Sequence, residues 1–426
     1  MNVLLLGGGG REHALALGIS KSIQLDKLFI TPGNTGTESL GENLKPELKT
    51  FTDIKSFCLT NSVEMIVVGP EAPLVNGIYD DFKLDPATAH IAVIGPSKDG
   101  AKLEGSKDFA KEFMSRHQIP TAGYKTFTRE TLYAGFKYLE ELNAPYVLKA
   151  DGLAGGKGVL ILHSLDEAKR ELAYMLGENK FGEAGNKVVI EEFMNGIEAS
   201  IFVITDGKNY KILPNAKDYK RIGEGDTGLN TGGMGAISPV PFVDADFMQK
   251  TEERIIKPTI KGLFDEGIIY KGFIYFGLMN VGGEPFVVEY NVRLGDPEAE
   301  VIVPRIQSDL IEMFATLESE ELNAFELVID PRAASTIVLA SEGYPQNYVS
   351  GFNITGLNDV KDSIVFHAGT KRDDERILSN GGRVLAVTSF GRNLEESLKK
   401  GYESISKIYF EGMYYRSDIG FDVNKN

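Results

Sequence analysis

Three residues near position 290 combine reactive chemistry with regular spacing. The run Phe286-Val287-Val288-Glu289-Tyr290-Asn291-Val292-Arg293 reads as a strand. Period two puts Phe286, Val288 and Tyr290 on one face and Val287, Glu289, Asn291 and Arg293 on the other. That second face is a row of carboxylate, amide oxygen and guanidinium, each about 7 Å from the next. Carboxylate and amide oxygens suit Mg²⁺, which keeps waters and takes its remaining oxygens from phosphates. A guanidinium beside them is placed to neutralise charge developing during phosphoryl transfer. Gly295-Asp296-Pro297-Glu298 adds acids at the following turn. The same alternation also describes an ordinary strand with its polar face in water, and two glycine-rich loops elsewhere in the chain favour the metal reading.

The first of these, Gly7-Gly8-Gly9-Gly10, follows an apolar strand and opens a helical stretch. Backbone N–H groups at such a helix start favour an anion, and Arg11 at its mouth can pair with a phosphate ester. A bare strand-to-helix turn is the alternative. The dinucleotide fingerprint does not fit: counted from Gly7 its third glycine falls on Glu12, and from Gly8 on His13. The second loop, Lys149-Ala150-Asp151-Gly152-Leu153-Ala154-Gly155-Gly156-Lys157-Gly158, joins two strands. It is no P-loop, because Gly158 follows Lys157 where Ser or Thr is required. A strand–loop–strand of this kind can fold over phosphates from above, its glycines letting N–H groups approach and Lys149 reaching a phosphate oxygen. A flexible hairpin tip is the alternative. The apolar strand 188–193, ending in Glu191-Glu192-Phe193 before Met194, can present backbone groups to an adenine edge.

These residues need elements to position them. Strands at 3–6, 27–31, 64–68 and 91–94, each closed by a Gly or Pro turn, alternate with helical stretches such as 11–21 and 101–117, and argue for a parallel sheet covered on both faces. After Pro120 strands are expected at 146–150, 159–162, 188–193 and 200–205, with Ser164-Leu165-Asp166-Glu167 capping a helix over 165–176. Residues 221–236 read as a glycine-rich loop, 244–266 as a long helix kinked near Pro258, and 273–280 with 285–292 as a hairpin turning at Gly282-Gly283. A third block past about 330 carries strands near 334–339, 364–366 and 383–387. The 426 residues predict two to four domains. Forty-five Lys+Arg against 61 Asp+Glu give a formal net charge of −16, which argues against general binding to nucleic acid or anionic membrane. No apolar run is long enough to span a bilayer, the Met1–Leu6 stretch (1–6) reads as a buried strand and not a signal peptide, and the single cysteine, Cys58, reads as a small core residue in a reducing compartment.

Several stretches, in this order, resemble one family: Gly9-Gly10-Arg11-Glu12-His13-Ala14, Pro32-Gly33-Asn34, Val68-Gly69-Pro70-Glu71-Ala72-Pro73-Leu74-Val75, Leu103-Glu104-Gly105-Ser106-Lys107, the 149–158 loop, Asn230-Thr231-Gly232-Gly233-Met234-Gly235-Ala236, 289–298 and His367-Ala368-Gly369-Thr370-Lys371. The chain is similar, nearly end to end, to the phosphoribosylamine–glycine ligase (glycinamide ribonucleotide synthetase) family of the ATP-grasp superfamily. The resemblance implies an α/β and α+β multidomain fold: an N-terminal parallel-sheet (pre-ATP-grasp) domain over 1–103, a two-lobed ATP-grasp core over 104–330 with a lid at about 124–192, and a small C-terminal α+β domain over 331–426. It implies ATP-dependent ligation of glycine to 5-phosphoribosylamine through a glycyl phosphate, giving glycinamide ribonucleotide, ADP and phosphate, in de novo purine biosynthesis. The physical logic agrees: a carboxylate is a poor acyl donor until phosphorylation supplies a leaving group, and the acyl phosphate must be kept from water.

Carried over by residue, Lys107, Lys149, Gly155, Gly156, Lys157 and Gly158 would hold ATP phosphates. Glu191, Glu192 and Met194 would bracket the adenine, and Glu198 would meet the ribose. Glu289 and Asn291 would bind Mg²⁺ or Mn²⁺. Arg293 would stabilise the transferring phosphoryl group, with Asp218 and Lys220 at the reacting centre. Gly9, Gly10, Arg11, Glu12, Asn34, Arg221, Gly232, Gly233 and Asp296 would contact the ribosylamine substrate or close around it. The implied partners are small molecules, with no nucleic acid and no membrane, and a cytoplasmic monomer is the expected form. Tyr219 departs from the pattern, standing where the family usually shows His, and Gly277 stands where some other ATP-grasp enzymes carry a second metal carboxylate. Another ATP-grasp ligase acting on a different acid, or a nucleotide-binding module without catalysis, are the competing readings.

Overall fold

The computed structural model describes residues 1–153, 158–177 and 186–423. Strands Asn2–Gly7, Lys27–Pro32, Glu42–Asn43, Met65–Val68 and Ala92–Pro96 pair in parallel, with Asn2–Gly7 between Lys27–Pro32 and Met65–Val68. Alternate residues of the first strand serve opposite cores. Val3 and Leu5 pack with Ala14, Leu15 and Ile19 of helix Gly10–Ile19, whereas Leu4 and Leu6 pack with Ile54, Cys58 and Phe82. Burial on both faces is why these strands are unbroken apolar runs. Cys58 is a core residue, as expected, and burial pushes its thiol up to about 12. The strand order reverses direction at the first strand, so its C-terminal end, Gly7, opens a crevice at a switch point. Gly7 has φ +120°, a conformation that glycine alone adopts without strain.

This sheet does not end with its domain. Ala92–Pro96 pairs antiparallel with Tyr270–Val281 through Gly95–Lys271 and Pro96–Tyr270, and thereby continues into Ile197–Thr205 and Glu284–Asn291. A separate four-stranded antiparallel sheet, ordered Tyr124–Thr128, Lys187–Glu191, Tyr146–Ala150, Val159–Leu162, packs on helices Leu132–Glu141 and Leu165–Gly177. The C-terminal strands Ala333–Ser341, Ser363–His367 and Arg383–Gly391 form a sheet with helix Leu394–Ile405 against it. The architecture is mixed α/β throughout. Among the described residues no helix is long and apolar enough to cross a membrane.

Three expectations are corrected. The stretch 221–236 is not all loop: Arg221–Gly223 and Thr227–Asn230 form a hairpin, and Gly235–Ser238 joins the C-terminal sheet beside Ala333–Ser341. Its partner lies about a hundred residues away, so local composition carries no trace of the pairing. The 101–117 helix is broken into Lys98–Gly105 and Lys107–Arg116, because Ser106 turns extended and caps the second segment by accepting from Phe109 N–H at 3.1 Å. The 244–266 helix carries a π-helical turn, Glu252–Ile256, which leaves Pro258 in the first turn of the segment Lys257–Asp265, where its missing N–H is tolerated.

Candidate active site

A cleft of about 790 Å³ lies where the extended sheet, the four-stranded sheet and the C-terminal sheet meet. Its wall begins with the hairpin Tyr270–Val281/Glu284–Asn291. Gly277 pairs with Glu289 but Leu278 pairs with Val287, so Val288 is an extra residue, a β-bulge. The bulge corrects the expected face assignment. Val287 is buried in the same core as Tyr290 and Val292, and Val288 turns to the cleft with Glu289, Asn291 and Arg293. The trio shares a face because the bulge lies before it. Gly277, opposite Glu289, leaves room for the carboxylate: a Cβ there would stand 3.2 Å from Glu289 Cγ. Among the described residues no three carboxylate, imidazole or thiolate groups converge as a preformed metal cage. Glu289 and Asn291 instead offer two oxygens, a donor set that fits Mg²⁺ when waters and phosphates complete the shell.

Arg293 follows the strand. Its Nη2 lies 2.6 Å from Glu104 Oε1 and its Nε 3.4 Å from Glu71 Oε2. The other Glu104 oxygen accepts Val292 N–H at 2.8 Å, so Glu104 pins both the strand end and the guanidinium. Burial raises the Glu104 carboxyl, and Arg293 beside it opposes the rise. Further back, Lys149 and Lys111 share one oxygen of the buried Glu191, at 3.0 and 3.2 Å; the second, Oε1, has no partner among the described residues. Lys149 also donates to the Val288 carbonyl that the bulge exposes, at 3.2 Å. Burial holds Lys111 down at about 8, and lowers Lys107 as well. Lys111 is a cleft residue the sequence reading missed. Its signal was the i, i+4 spacing from Lys107 on helix Lys107–Arg116, which puts both amines on one face.

On the opposite side, strand Lys217–Asp218 pairs with Gly235–Ser238 and carries Asp218 and Lys220 to the cleft. Lys220 Nζ meets Glu198 Oε2 at 2.5 Å. Burial opposes the Lys220 charge, but Glu198 and Asp218 outweigh it and hold the ammonium well above its usual value. Burial raises Asp218, the neighbouring Lys220 opposes the rise, and Glu198 adds to it; burial, then Asp218, raises Glu298. Most carboxylates of the cleft wall are already ion-paired: Glu71 and Glu104 with Arg293, Glu191 with Lys111 and Lys149, Glu198 with Lys220, Asp226 with Arg416, Asp296 with Arg383 and Asp422 with Lys217. Among the described residues Glu289, Asp218 and Glu298 alone of the cleft carboxylates have no such partner. Tyr219, between Asp218 and Lys220, points away: it is 1% exposed and donates to Asp422 Oδ1 at 2.8 Å. It touches the cleft wall only from behind, through Asp422 and through Lys217, whose Nζ lies 4.0 Å from the ring centre.

The glycine loop differs from the anion cradle read from the sequence. Gly9 N–H is given to Glu12 Oε2 at 2.6 Å, and Arg11 N–H points at Asp296 Oδ2 at 3.4 Å. Arg11 Nε is bound to Glu12 Oε1 at 2.6 Å. Carboxylates thus occupy helix-start donors that a phosphate was expected to take. Asn34 is spent on backbone: its Nδ2 reaches the carbonyls of Gly8, Gly9 and His367 at 3.0, 3.2 and 2.7 Å, and its Oδ1 accepts Gly36 and Thr37 N–H. Gly9, Gly10, Glu12, Asn34, Glu192 and Gly233 do not line the cleft, whereas Arg11, Lys107, Lys149, Gly158, Glu191, Met194, Glu198, Asp218, Lys220, Arg221, Gly232, Glu289, Asn291, Arg293 and Asp296 do. Gly155, Gly156 and Lys157 lie outside the described residues. Arg383 was not singled out in the sequence. It bridges Gly232 O and Asp296 O, both at 2.7 Å, and meets Asp296 Oδ1 at 2.9 Å, tying the C-terminal sheet to the cleft.

Comparison with known proteins assigns the same three parts. Models of the phosphoribosylglycinamide synthetase N domain, ATP-grasp (A) domain and C domain match residues 1–104, 105–299 and 334–422. The chain is 44% identical, over 99% of its length and 97% of the relative's, to phosphoribosylamine–glycine ligase of Pseudomonas syringae pv. tomato. Its fold matches the crystal structure of phosphoribosylamine–glycine ligase from Thermotoga maritima with a TM-score of 0.84 at 37% identity, covering 98% of this chain and 100% of that one. The biotin carboxylase domain of a Hydrogenobacter thermophilus 2-oxoglutarate carboxylase aligns with a TM-score of 0.73 at 16% identity, over 97% of this chain and 91% of that one, a likeness of fold alone.

Proposed function

Because the chain belongs to the phosphoribosylglycinamide synthetase family, we propose that its cleft joins glycine to 5-phosphoribosylamine at the expense of ATP, in purine biosynthesis. A glycine carboxylate oxygen attacks the γ-phosphorus of ATP, the bond to ADP breaks, and glycyl phosphate forms. The ribosylamine nitrogen then attacks the acyl carbon, inorganic phosphate leaves, and the amine loses a proton. The observation that carries this reading is the convergence of Glu289, Asn291 and Arg293 with Lys107 and Lys149 on one cleft.

In this reading Lys107 and Lys149 hold the ATP phosphates. The adenine lies against the Glu191–Met194 stretch (191–194). There Glu192 N–H is given to Gly123 O at 2.9 Å and Glu192 does not line the cleft, so the Met194 N–H is the group that reads the base edge. Glu198 faces the ribose. Glu289 and Asn291 hold Mg²⁺ or Mn²⁺, which when bound neutralises charge shared by the outer phosphates. Arg293, clamped by Glu104, presents a fixed guanidinium to the transferring phosphoryl group, a preorganised donor that needs no reorientation during reaction. Arg11, Arg221, Gly232 and Asp296 bound the side from which the ribosylamine enters. The reading keeps a division into 1–103, 104–330 and 331–426, beside family matches over 1–104, 105–299 and 334–422, and a cytoplasmic location.

The test is ADP release from ATP and Mg²⁺ with glycine and 5-phosphoribosylamine supplied singly and together. Release that needs both is the expected result. Turnover with bicarbonate in place of glycine would instead identify a carboxylase, and ADP release indifferent to ribosylamine would defeat the ligase reading.

A further inference from the structure

The hairpin of Arg221–Gly223 with Thr227–Asn230 is a two-stranded sheet of its own at the edge of the cleft. Arg221, Asp226 and Asn230 line the cleft, and residues 224–229 are exposed. Among the described residues none of 221–230 belongs to a buried apolar cluster, and Leu229 is 49% exposed. A lone two-stranded hairpin is marginal in water. Something other than apolar packing therefore holds this one in place.

The hold comes from the far end of the chain. Arg416 is 0% exposed, and its Nη1 donates to the Arg221 carbonyl at 3.1 Å and to Asp226 Oδ1 at 2.7 Å. One nitrogen thus grips both the first strand and the turn. Its Nε and Nη2 donate to the two Asp418 oxygens at 2.8 and 2.9 Å, a bidentate fork. Asp418 Oδ2 also accepts the Gly225 N–H at 2.6 Å. The Tyr414 hydroxyl donates to the Ile222 carbonyl at 2.7 Å, and the Ser417 hydroxyl donates to the Glu224 carboxylate. The guanidinium lies over the Tyr219 ring, 5.4 Å from its centre. The Arg416 carbonyl accepts the Tyr402 hydroxyl at 2.9 Å, which anchors the segment to helix Leu394–Ile405. Arg221, Ile222 and Gly225 are held by their backbone, so these bonds fix where the hairpin runs and not only its charge.

The side chain placed by this hold is Arg221. Its Nη1 is braced across the hairpin on the Gly228 carbonyl at 2.8 Å, and among the described residues it forms no ion pair. A guanidinium at the cleft with donors to spare suits an anionic group such as a phosphate ester. We infer that Arg416 is a positioning residue for the phosphorylated amine substrate: by fixing the hairpin from behind, it sets the place of Arg221 in the cleft, and with it the affinity for that substrate and not for ATP. The inference rests on the ligase reading above. Arg416 itself does not line the cleft, so it acts only through the hairpin.

The experiment first requires that wild-type enzyme release ADP only with glycine and ribosylamine; failure at that step would overturn the ligase reading and this inference together. Arg416→Gln is then expected to raise the KM for ribosylamine by about tenfold or more and to leave kcat within about threefold, the pattern of lost binding in ground and transition state alike. The affinity for a non-hydrolysable ATP analogue with Mg²⁺ is expected to stay within about twofold, because the hairpin is absent from the nucleotide wall in this reading. Arg416→Lys, which keeps the charge and loses the fork, is expected to recover part of the KM. A thermal unfolding scan identifies any variant that fails to fold. Tyr414→Phe, which removes one hydroxyl from the same hold, is the milder second variant and is expected to raise the ribosylamine KM by about threefold. Cleavage after the exposed Glu224 by a glutamate-specific protease reports opening of the hairpin directly, and is expected to quicken by about tenfold in Arg416→Gln. An unchanged ribosylamine KM in the folded variants, with or without faster cleavage, would overturn the positioning role. Loss of ATP-analogue affinity in parallel with ribosylamine would overturn it as well.

Discussion

Arg293 stands between two acids, and that position sets what its removal does. Its side chain is 17% exposed and that of Glu104 7% exposed, so a truncated arginine strands a carboxylate in a dry place. Arg293→Ala is expected to lower kcat by about 10²-fold or more, leave ATP-analogue affinity within about threefold, and cost about 3–5 kcal/mol of stability. Adding Glu104→Gln should restore most of that stability in a denaturant titration and none of the turnover. Turnover returning with the second change would show that Arg293 acts only through Glu104. Glu289, Asn291 and Arg293 were legible because their chemistry is local: a strand period aligns them whatever lies opposite. Lys111 was legible in principle from its spacing to Lys107. Arg383 was not, since a Gly-Gly-Arg at the start of a strand has no local mark of reaching Asp296 across 87 positions.

At the scale of elements, the metal hairpin depends on a small residue and an extra one. The bulge at Val288 could not be read from alternation, because register is a property of the pair and not of either strand. The expected hairpin and its Gly282-Gly283 turn match the observed element closely, and the error is confined to which core Val287 joins. Gly277 is the partner-strand device that keeps Glu289 in place. Gly277→Val, introducing branched atoms against the Glu289 Cγ, is expected to displace the carboxylate at a cost of about 1–3 kcal/mol and to raise the Mg²⁺ concentration for half-maximal activity by about tenfold. An unchanged Mg²⁺ titration in a folded Gly277→Val protein would remove Glu289 from the metal site. The glycine loop teaches the reverse lesson. Four glycines before a helix read as an anion cradle, but Glu12 supplies the anion from within the chain and Asn34 fixes the loop from behind.

At the scale of the whole molecule, the first and last parts of the chain are joined by a histidine contact. His367 N–H donates to His13 Nδ1 at 2.8 Å, and Asn34 holds the His367 carbonyl. Burial, then the neighbouring imidazole, keeps His13 down at about 3; burial, then Arg372, keeps His367 at about 4. A proton on Nδ1 would take the lone pair that the His367 N–H needs. Unfolded histidines titrate near 6.5, so between about pH 6.5 and 4 the unfolded chain binds protons that the folded one refuses. Stability therefore falls as pH drops, by about 2 kcal/mol per histidine from pH 7 to pH 5. Denaturant titrations at the two pH values should show a shallower fall in the His13→Gln, His367→Gln double variant than in wild type; equal slopes would mean that the imidazoles are not held neutral. The continuity of the sheet across Gly95–Lys271 and Pro96–Tyr270 was likewise hidden from the sequence, because two short antiparallel bridges between distant strands leave no periodic trace.

The cleft wall draws on positions from Arg11 to Asp422. A nascent polypeptide emerging from the ribosome therefore displays its glycine loop and its metal hairpin long before Arg383 and Asp422 exist to close the pocket. A chain of this sequence that stops short of them lacks part of the cleft wall.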